Sequence, residues 1–245
     1  MTTPPSSTAS TRDGFAFVND DTYVIIPVFN EEQVVGDVVS AALREFSNVV
    51  CVDDGSQDRS SEVIERAGAT LVVHAVNLGA GAATQTGIDF ALLDESAQFF
   101  VTMDADGQHD VRDAVKMLER LRAGDVDIVL GSRFLGDAAV GMSKSKAALL
   151  RVAARFSRMT TGVNLTDPHI GLRAFDRRFA ESLKMTMPDF SHASELVHRI
   201  REGNFRFVEV PITVTYSAYS KVKGQPMINA VNISFDYLMH RTLKK

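Results

Sequence analysis

The sequence predicts an α/β fold in which one mostly parallel central sheet is flanked by helices. Three observations carry this. Short apolar runs alternate with amphipathic stretches through the first half of the chain. The runs are near-continuously apolar, as strands buried on both faces should be. Clusters of Asp, Gly, Asn and Ser follow directly after the runs, where an open parallel sheet gathers its ligands.

Residues 1–22 read as a disordered lead-in, because Thr2 to Thr11 is rich in Ser, Thr and Pro and lacks the apolar stretch of a signal peptide. Tyr23 to Pro27 is the first strand. Glu31 to Phe46 follows as a helix, with Val34, Val35, Val38, Val39, Ala42 and Phe46 on one face. Val49 to Val52 is the second strand and ends at Asp53-Asp54-Gly55-Ser56. Asp58 or Ser60 caps the next helix, which runs to Ala67; Asp58 is favoured because Asx side chains suit that position. Thr70 to His74 is the third strand, followed by Asn77-Leu78-Gly79-Ala80-Gly81 and a helix to about Leu93. Phe99 to Met103 is the fourth strand. A helix from Val111 to Ala123 and a strand from Ile128 to Leu130 complete the alternation.

The second half departs from this pattern. Ser143 to Thr161 is a basic amphipathic helix with Lys144, Lys146, Arg151, Arg155 and Arg158. Thr166 to Phe175 is a loop and short strand, Ser191 to Glu202 a helix, and Phe205 to Val214 a strand of alternating polarity. A last amphipathic helix occupies about Met227 to Lys244, within residues 226–245. The boundary between the two halves of the 23–225 domain falls near Gly136.

The 245 residues are 45% hydrophobic with a net charge of −5, enough for one large core and without the basic balance of a nucleic-acid surface. The single cysteine, Cys51, sits in an apolar run and reads as a core residue, which points to a reducing compartment. No apolar run approaches the ~20 residues of a membrane span.

The most informative segment is Met103-Asp104-Ala105-Asp106-Gly107-Gln108-His109. A buried strand ends there in two carboxylates one residue apart. Such a pair repels itself unless a cation or several donors sit nearby, and carboxylate oxygens suit Mg²⁺ or Mn²⁺ bound together with substrate phosphates. A solvated Asp-x-Asp turn is the alternative. Gly79-Ala80-Gly81 partly fits a dinucleotide fingerprint, but it follows the third strand, not the first. His74, His198 and His240 read as structural, whereas His109 and His192 stay open.

Seven stretches in order resemble a known family. They are Val24 to Glu32, Val52 to Asp58, Asn77 to Gly81, Met103 to His109, Gly131-Ser132-Arg133-Phe134, Asp167 to Arg173 and Val208 to Ile212. Together they resemble family 2 glycosyltransferases of GT-A fold, and within them the dolichol-phosphate mannosyltransferase-like branch of polyprenyl-phosphate sugar transferases. The resemblance implies a nucleotide sugar as donor, and Pro27, Phe29 and Glu31 around its base and ribose. Asp54 would accept a hydrogen bond from the base. Asp53, Gly79 and Ala105 belong to the same nucleotide-binding set. Asp104 would contact the ribose or the metal's surroundings, Asp106 would hold Mg²⁺ or Mn²⁺ directly, and Gln108 would add its amide oxygen. Arg133 and Lys221 would clamp diphosphate or acceptor phosphate, and Asp167, Arg173 and Lys223 would shape the acceptor side.

The family inverts the anomeric centre by in-line displacement. A hydroxyl acceptor needs a positioned base, and the Glu-Asp pair of hydroxyl-directed relatives is missing; Glu195 is the nearest substitute. The Gln-x-x-Arg-Trp motif of polysaccharide synthases is also missing, since the chain has no Trp. Polyprenyl phosphate, already anionic, is therefore favoured over a glycan hydroxyl. One departure stands against this: Thr215 occupies the place of an Arg six residues before Lys221, which removes a bidentate fork that Lys cannot reproduce. The form Tyr219-Ser220-Lys221-Val222-Lys223-Gly224-Gln225 looks closer to bacterial envelope-polysaccharide relatives. The expected setting is cytoplasmic or peripheral on the inner membrane face, either alone, as a homo-oligomer or with a small membrane subunit. Two alternatives stay open: transfer to a sugar hydroxyl, and a non-catalytic nucleotide-sugar-binding subunit of a membrane complex.

Overall fold

The computed structural model describes residues 11–12, 15–16, 19–135, 139–140, 144–185 and 192–216. The expected C-terminal helix, Lys221, Lys223 and His240 therefore lie outside the described residues, as does most of the Ser/Thr/Pro-rich lead-in. In chain order the elements are β1 (Thr11–Arg12), β2 (Phe15–Ala16), β3 (Thr22–Val28), α1 (Val35–Leu43), β4 (Asn48–Asp53), α2 (Ser60–Ala67), β5 (Thr70–Val73), α3 (Ala80–Leu92) and β6 (Phe99–Thr102). They continue with α4 (Val111–Arg122), β7 (Ile128–Ser132), β8 (Ala139–Val140), α5 (Lys144–Thr161), β9 (Arg173–Asp176), α6 (Arg177–Ser182), α7 (His192–Glu202), β10 (Phe207–Pro211) and β11 (Val214–Thr215).

Seven strands form the central sheet in the order β10-β7-β9-β6-β3-β4-β5. All neighbours run parallel except β9, which lies antiparallel between β6 and β7. The fold class expected from the alternation is the one observed, and β9 and β10 from beyond residue 136 lie in the same sheet as β3 to β7.

Alternation along β3 explains the continuous apolar runs. Val24, Ile26 and Val28 join a core that includes residues of α1, α2 and α4. Ile25 points the other way, into a core with residues of α3, α6 and α7. Helix α3 lies so close to β3 that a Cβ on Gly87 would sit 2.4 Å from the Ile25 methyl Cγ2. Phe100, Phe175, Phe179 and Phe205 make a chain of ring contacts through the second core.

Several boundaries differ from expectation for local reasons. Helix α1 begins at Val35, not Glu31, because the preceding amides are taken by side chains of the next loop. Asn30 N–H donates to Ser56 Oγ at 2.8 Å, Glu31 N–H to Ser60 Oγ at 2.8 Å and Glu32 N–H to Asp58 Oδ2 at 3.1 Å. The N-cap of α2 is Arg59, without a side-chain cap, so Asp58 is not the cap in the strict sense. Asp58 Oδ1 accepts from the Ser60 amide at 2.9 Å and so steadies the same turn from one residue earlier. The single strand expected from Phe205 to Val214 is two, because Asp113 of α4 captures the Thr213 amide at 2.7 Å and bends the chain out of the sheet. After the bend, β11 pairs with β8. Two short elements, β1 and β2, pair antiparallel inside the segment expected to be disordered.

Candidate active site

A cavity of about 330 Å³ opens at the carboxyl ends of β3, β4 and β6. Its lining includes Pro27, Phe29, Glu31, Asp54 and Gly79 from the expected nucleotide set, then Asp104, Ala105 and Asp106, and finally Arg173. Nine residues singled out from sequence thus meet in one place, drawn from loops far apart in the chain. Parallel strands deliver their following loops to the same edge, and the reversed strand β9 brings its first residue there too, with Arg173 paired to Thr102.

Asp104 and Asp106 emerge at the turn after β6. Burial, and next the charge of Asp104, push the Asp106 carboxyl above its ordinary range. The His109 ring, 2% exposed, places Nε2 3.1 Å from Asp104 Oδ2, while its buried Nδ1 has no hydrogen-bond partner among the described residues. Gly171 packs against the same carboxylate, so close that a Cβ there would lie 2.1 Å from Asp104 Oδ1. Gln108 does not present its amide oxygen. Its amide nitrogen donates to Asp106 Oδ2 and its backbone N–H to Asp106 Oδ1, because two adjacent carboxylates draw donors toward them. Half a turn of the amide would expose the oxygen.

Among the described residues no three His, Cys, Asp or Glu side chains form a ready-made metal cluster. The fit to Mg²⁺ or Mn²⁺ is of another kind. Such ions are commonly held by one or two carboxylates and completed by substrate phosphates and water. Burial and the Asp104 charge raise the Asp106 carboxyl, and a divalent ion held between the two would favour the ionised form of both.

Asp53 does not reach the cavity. Its Oδ1 accepts from the Ser56 amide at 2.9 Å and its Oδ2 from the Ser61 hydroxyl, so it builds the turn. Arg133, expected as a phosphate clamp, does not line the cavity either. Its Nε and Nη2 each donate to the Asp167 carboxylate at 2.6 Å, and Tyr216 Oη lies 3.3 Å from Nη1. Burial pulls the Arg133 guanidinium down, but the Asp167 hydrogen bonds and charge outweigh it and hold it above its usual value. Asp167 is therefore committed to Arg133, and Glu209 holds that loop through the Thr166 and Asp167 amides. Glu195 lies in the first turn of α7, two residues after the cavity residue Ala193.

Arg173 is the unexpected feature. Its side chain is wholly buried, yet among the described residues Nε has no hydrogen-bond partner and the guanidinium forms no ion pair. Burial lowers it to about 10 against the opposing charges of Asp104 and Asp167. His169, Thr102, Thr84 and Met103 also line the cavity, and the sequence assigns none of them a role. Burial, aided by the Arg173 and Arg133 cations and opposed by Asp167, lowers the His169 ring and keeps it neutral near pH 7. The signal for His169 was its place four residues before Arg173 in the Asp167–Arg173 stretch.

A backbone contact ties the acidic turn to the end of the described chain. The Thr215 amide donates to the Gln108 carbonyl at 3.0 Å, and His109 bridges to Val214.

The sequence profile of glycosyl transferase family 2 matches residues 23–183. A UDP-N-acetylglucosamine–dolichyl-phosphate N-acetylglucosaminyltransferase of Methanococcus voltae is 27% identical over 238 residues, covering 89% of this chain and 94% of that protein. A polyprenol monophosphomannose synthase of Mycolicibacterium smegmatis is 31% identical over 226 residues, covering 86% and 84%. The crystal structure of glucosyl-3-phosphoglycerate synthase from Mycobacterium tuberculosis with Mn²⁺ and UDP-glucose superposes with a TM-score of 0.69 at 16% identity, over 90% of this chain and 78% of that one. The last comparison bears on fold alone. Profile, relatives and the gathering of the acidic turn and the neighbouring loops at one sheet edge agree, and the chain belongs to glycosyl transferase family 2 as a glycosyltransferase of the dolichol-phosphate sugar transferase branch.

Proposed function

We propose that the protein is an inverting, metal-dependent transferase that moves a sugar from a nucleotide diphosphate sugar to polyprenyl phosphate, in cell-envelope polysaccharide or glycoconjugate synthesis. The observation that carries this reading is the presence in one cavity of the Asp104 and Asp106 carboxylates and the buried, unpaired Arg173. The carboxylates would hold Mg²⁺ or Mn²⁺, with Gln108 joining after its amide turns. A bound divalent ion neutralises a diphosphate leaving group. Pro27, Phe29, Glu31 and Asp54 would hold the nucleoside. Arg173, whose Nε has no hydrogen-bond partner among the described residues, suits a second anion, the acceptor phosphate. A phosphate is ionised at neutral pH and attacks without a base.

A lipid-linked acceptor also suits helix α5. It carries Lys144, Lys146, Arg151, Arg155 and Arg158 and no acidic residue. Arg151, Arg155 and Arg158 are exposed beside Val152 and Met159. Such a face fits anionic headgroups. Among the described residues no helix is long and apolar enough to cross a membrane. The names of the Methanococcus voltae and Mycolicibacterium smegmatis relatives support the same acceptor class.

The second reading is transfer to a sugar hydroxyl. It draws on Glu195 in the first turn of α7, two residues after cavity residue Ala193. Labelled nucleotide sugars incubated with Mn²⁺ and either polyprenyl phosphate or glycan acceptors separate these readings. Label extractable with the lipid is expected. Label on glycan alone would install the second reading, and tight binding without transfer to either would make the protein a non-catalytic subunit. Lys221→Ala should lower turnover by orders of magnitude if that residue meets the diphosphate.

A further inference from the structure

Asp54 lines the cavity together with Pro27, Phe29, Asn77 and Gly79, and its side chain is 3% exposed. An ionised carboxylate only accepts, and its two oxygens offer about four accepting directions. Three are filled by the protein itself. Oδ1 accepts from the Leu78 amide at 2.9 Å and faces His74 Nδ1 at 2.7 Å. Oδ2 accepts from the Gly79 amide at 2.7 Å. Toward an ionised carboxylate His74 Nδ1 acts as the donor, and Nε2 lies 2.9 Å from the Thr86 hydroxyl. Among the described residues one accepting direction is left, on Oδ2.

Resting on the proposed nucleotide-sugar reading, we infer that the base held at Asp54 is a 2,4-dioxopyrimidine, uracil or thymine, and that guanine is rejected. Guanine presents N1–H and its N2 amino group side by side, a donor pair spaced for both oxygens of one carboxylate. Here Oδ1 already carries two donors, so the amino group would meet the N–H groups of Leu78 and His74 and stay unpaired in a buried site. Uracil and thymine present a single N–H at N3, which matches the single direction on Oδ2. Cytosine has a lone pair at N3 and would point it at the carboxylate. His74 thus sets the specificity without touching the base, by filling the oxygen that guanine would need.

Calorimetric titration of the intact protein with UDP, dTDP, CDP and GDP in the presence of Mn²⁺ tests this. UDP and dTDP should each bind at least tenfold tighter than GDP and CDP, and comparing the first two separates uracil from thymine. His74→Leu, which cannot donate, should narrow the gap between UDP and GDP several-fold; circular dichroism checks that the variant is folded. GDP binding as tightly as UDP to the wild type would overturn the inference while leaving the transferase reading intact. Binding of no nucleotide diphosphate would overturn both.

Discussion

Arg133 and Asp167 are locked together by three hydrogen bonds, two from the guanidinium and one from the Arg133 backbone amide. Both side chains are buried, at 10% and 2% exposure. A pair this enclosed is dangerous to break from one side. Asp167→Asn should cost about 3–5 kcal/mol, because it leaves a buried cation without its counterion. Urea unfolding measures this, and Arg133→Met with Asp167→Leu together should recover much of the loss.

Asp106→Asn should abolish metal-dependent turnover without lowering the melting temperature. Burial and the Asp104 charge disfavour the Asp106 anion in this fold, so a neutral amide relieves both. Thermal melts with and without Mn²⁺ separate the two effects: the wild type should gain stability with the ion, and the variant should not.

Gly171→Ala tests the approach of the 169–173 loop to the acidic turn. The new methyl would lie 2.1 Å from Asp104 Oδ1, so the carboxylate must rotate away. A single side-chain end can move at small cost to folding, but Asp104 would lose its contact with His109. Mn²⁺-dependent nucleotide affinity should fall at least tenfold with a shift in melting temperature of only a few degrees, as read by calorimetry and thermal unfolding.

Tyr23 gives the protein an alkaline limb. Burial, then the hydrogen bond to Asp94 at 2.9 Å and the charge of Asp94, raise the phenol from 10 to about 12. The folded state therefore favours the neutral phenol. That contribution is complete below pH 10 and is lost as pH rises toward about 12. Tyr23→Phe should flatten the fall in stability across that window, measured by urea unfolding at several pH values.

Much of this was legible in the sequence because the strands are buried on both faces and write themselves as apolar runs. Each run in the first half became a strand within about a residue or two. The second half hid its topology. Arg173-Ala174-Phe175-Asp176 is too short to announce that it enters the sheet reversed between β6 and β7. Nor does local pattern reveal that Asp113 turns the chain at Thr213. Asp104, Asp106 and Asp54 could be placed from their position after strands. The partner of Arg133 could not, since Asp167 is distant in the chain, and a guanidinium engaged internally reads in sequence like one awaiting substrate. His74 looked structural from sequence; its ring turned out to face Asp54, a contact only the fold creates.

Strand β9 fills the slot between β6 and β7, and no local neighbour could replace it. A chain still lacking residue 173 would hold two bare sheet edges facing each other across an unfilled gap, the geometry that invites pairing between molecules. Folding must close the long loop from Thr102 to Arg173 before either edge is covered, which slows the search and exposes the nascent protein. The strand that brings the buried arginine to the cavity is thus also the one that makes the unfinished chain prone to aggregate, so synthesis past β9 should mark the point at which it becomes protease-resistant.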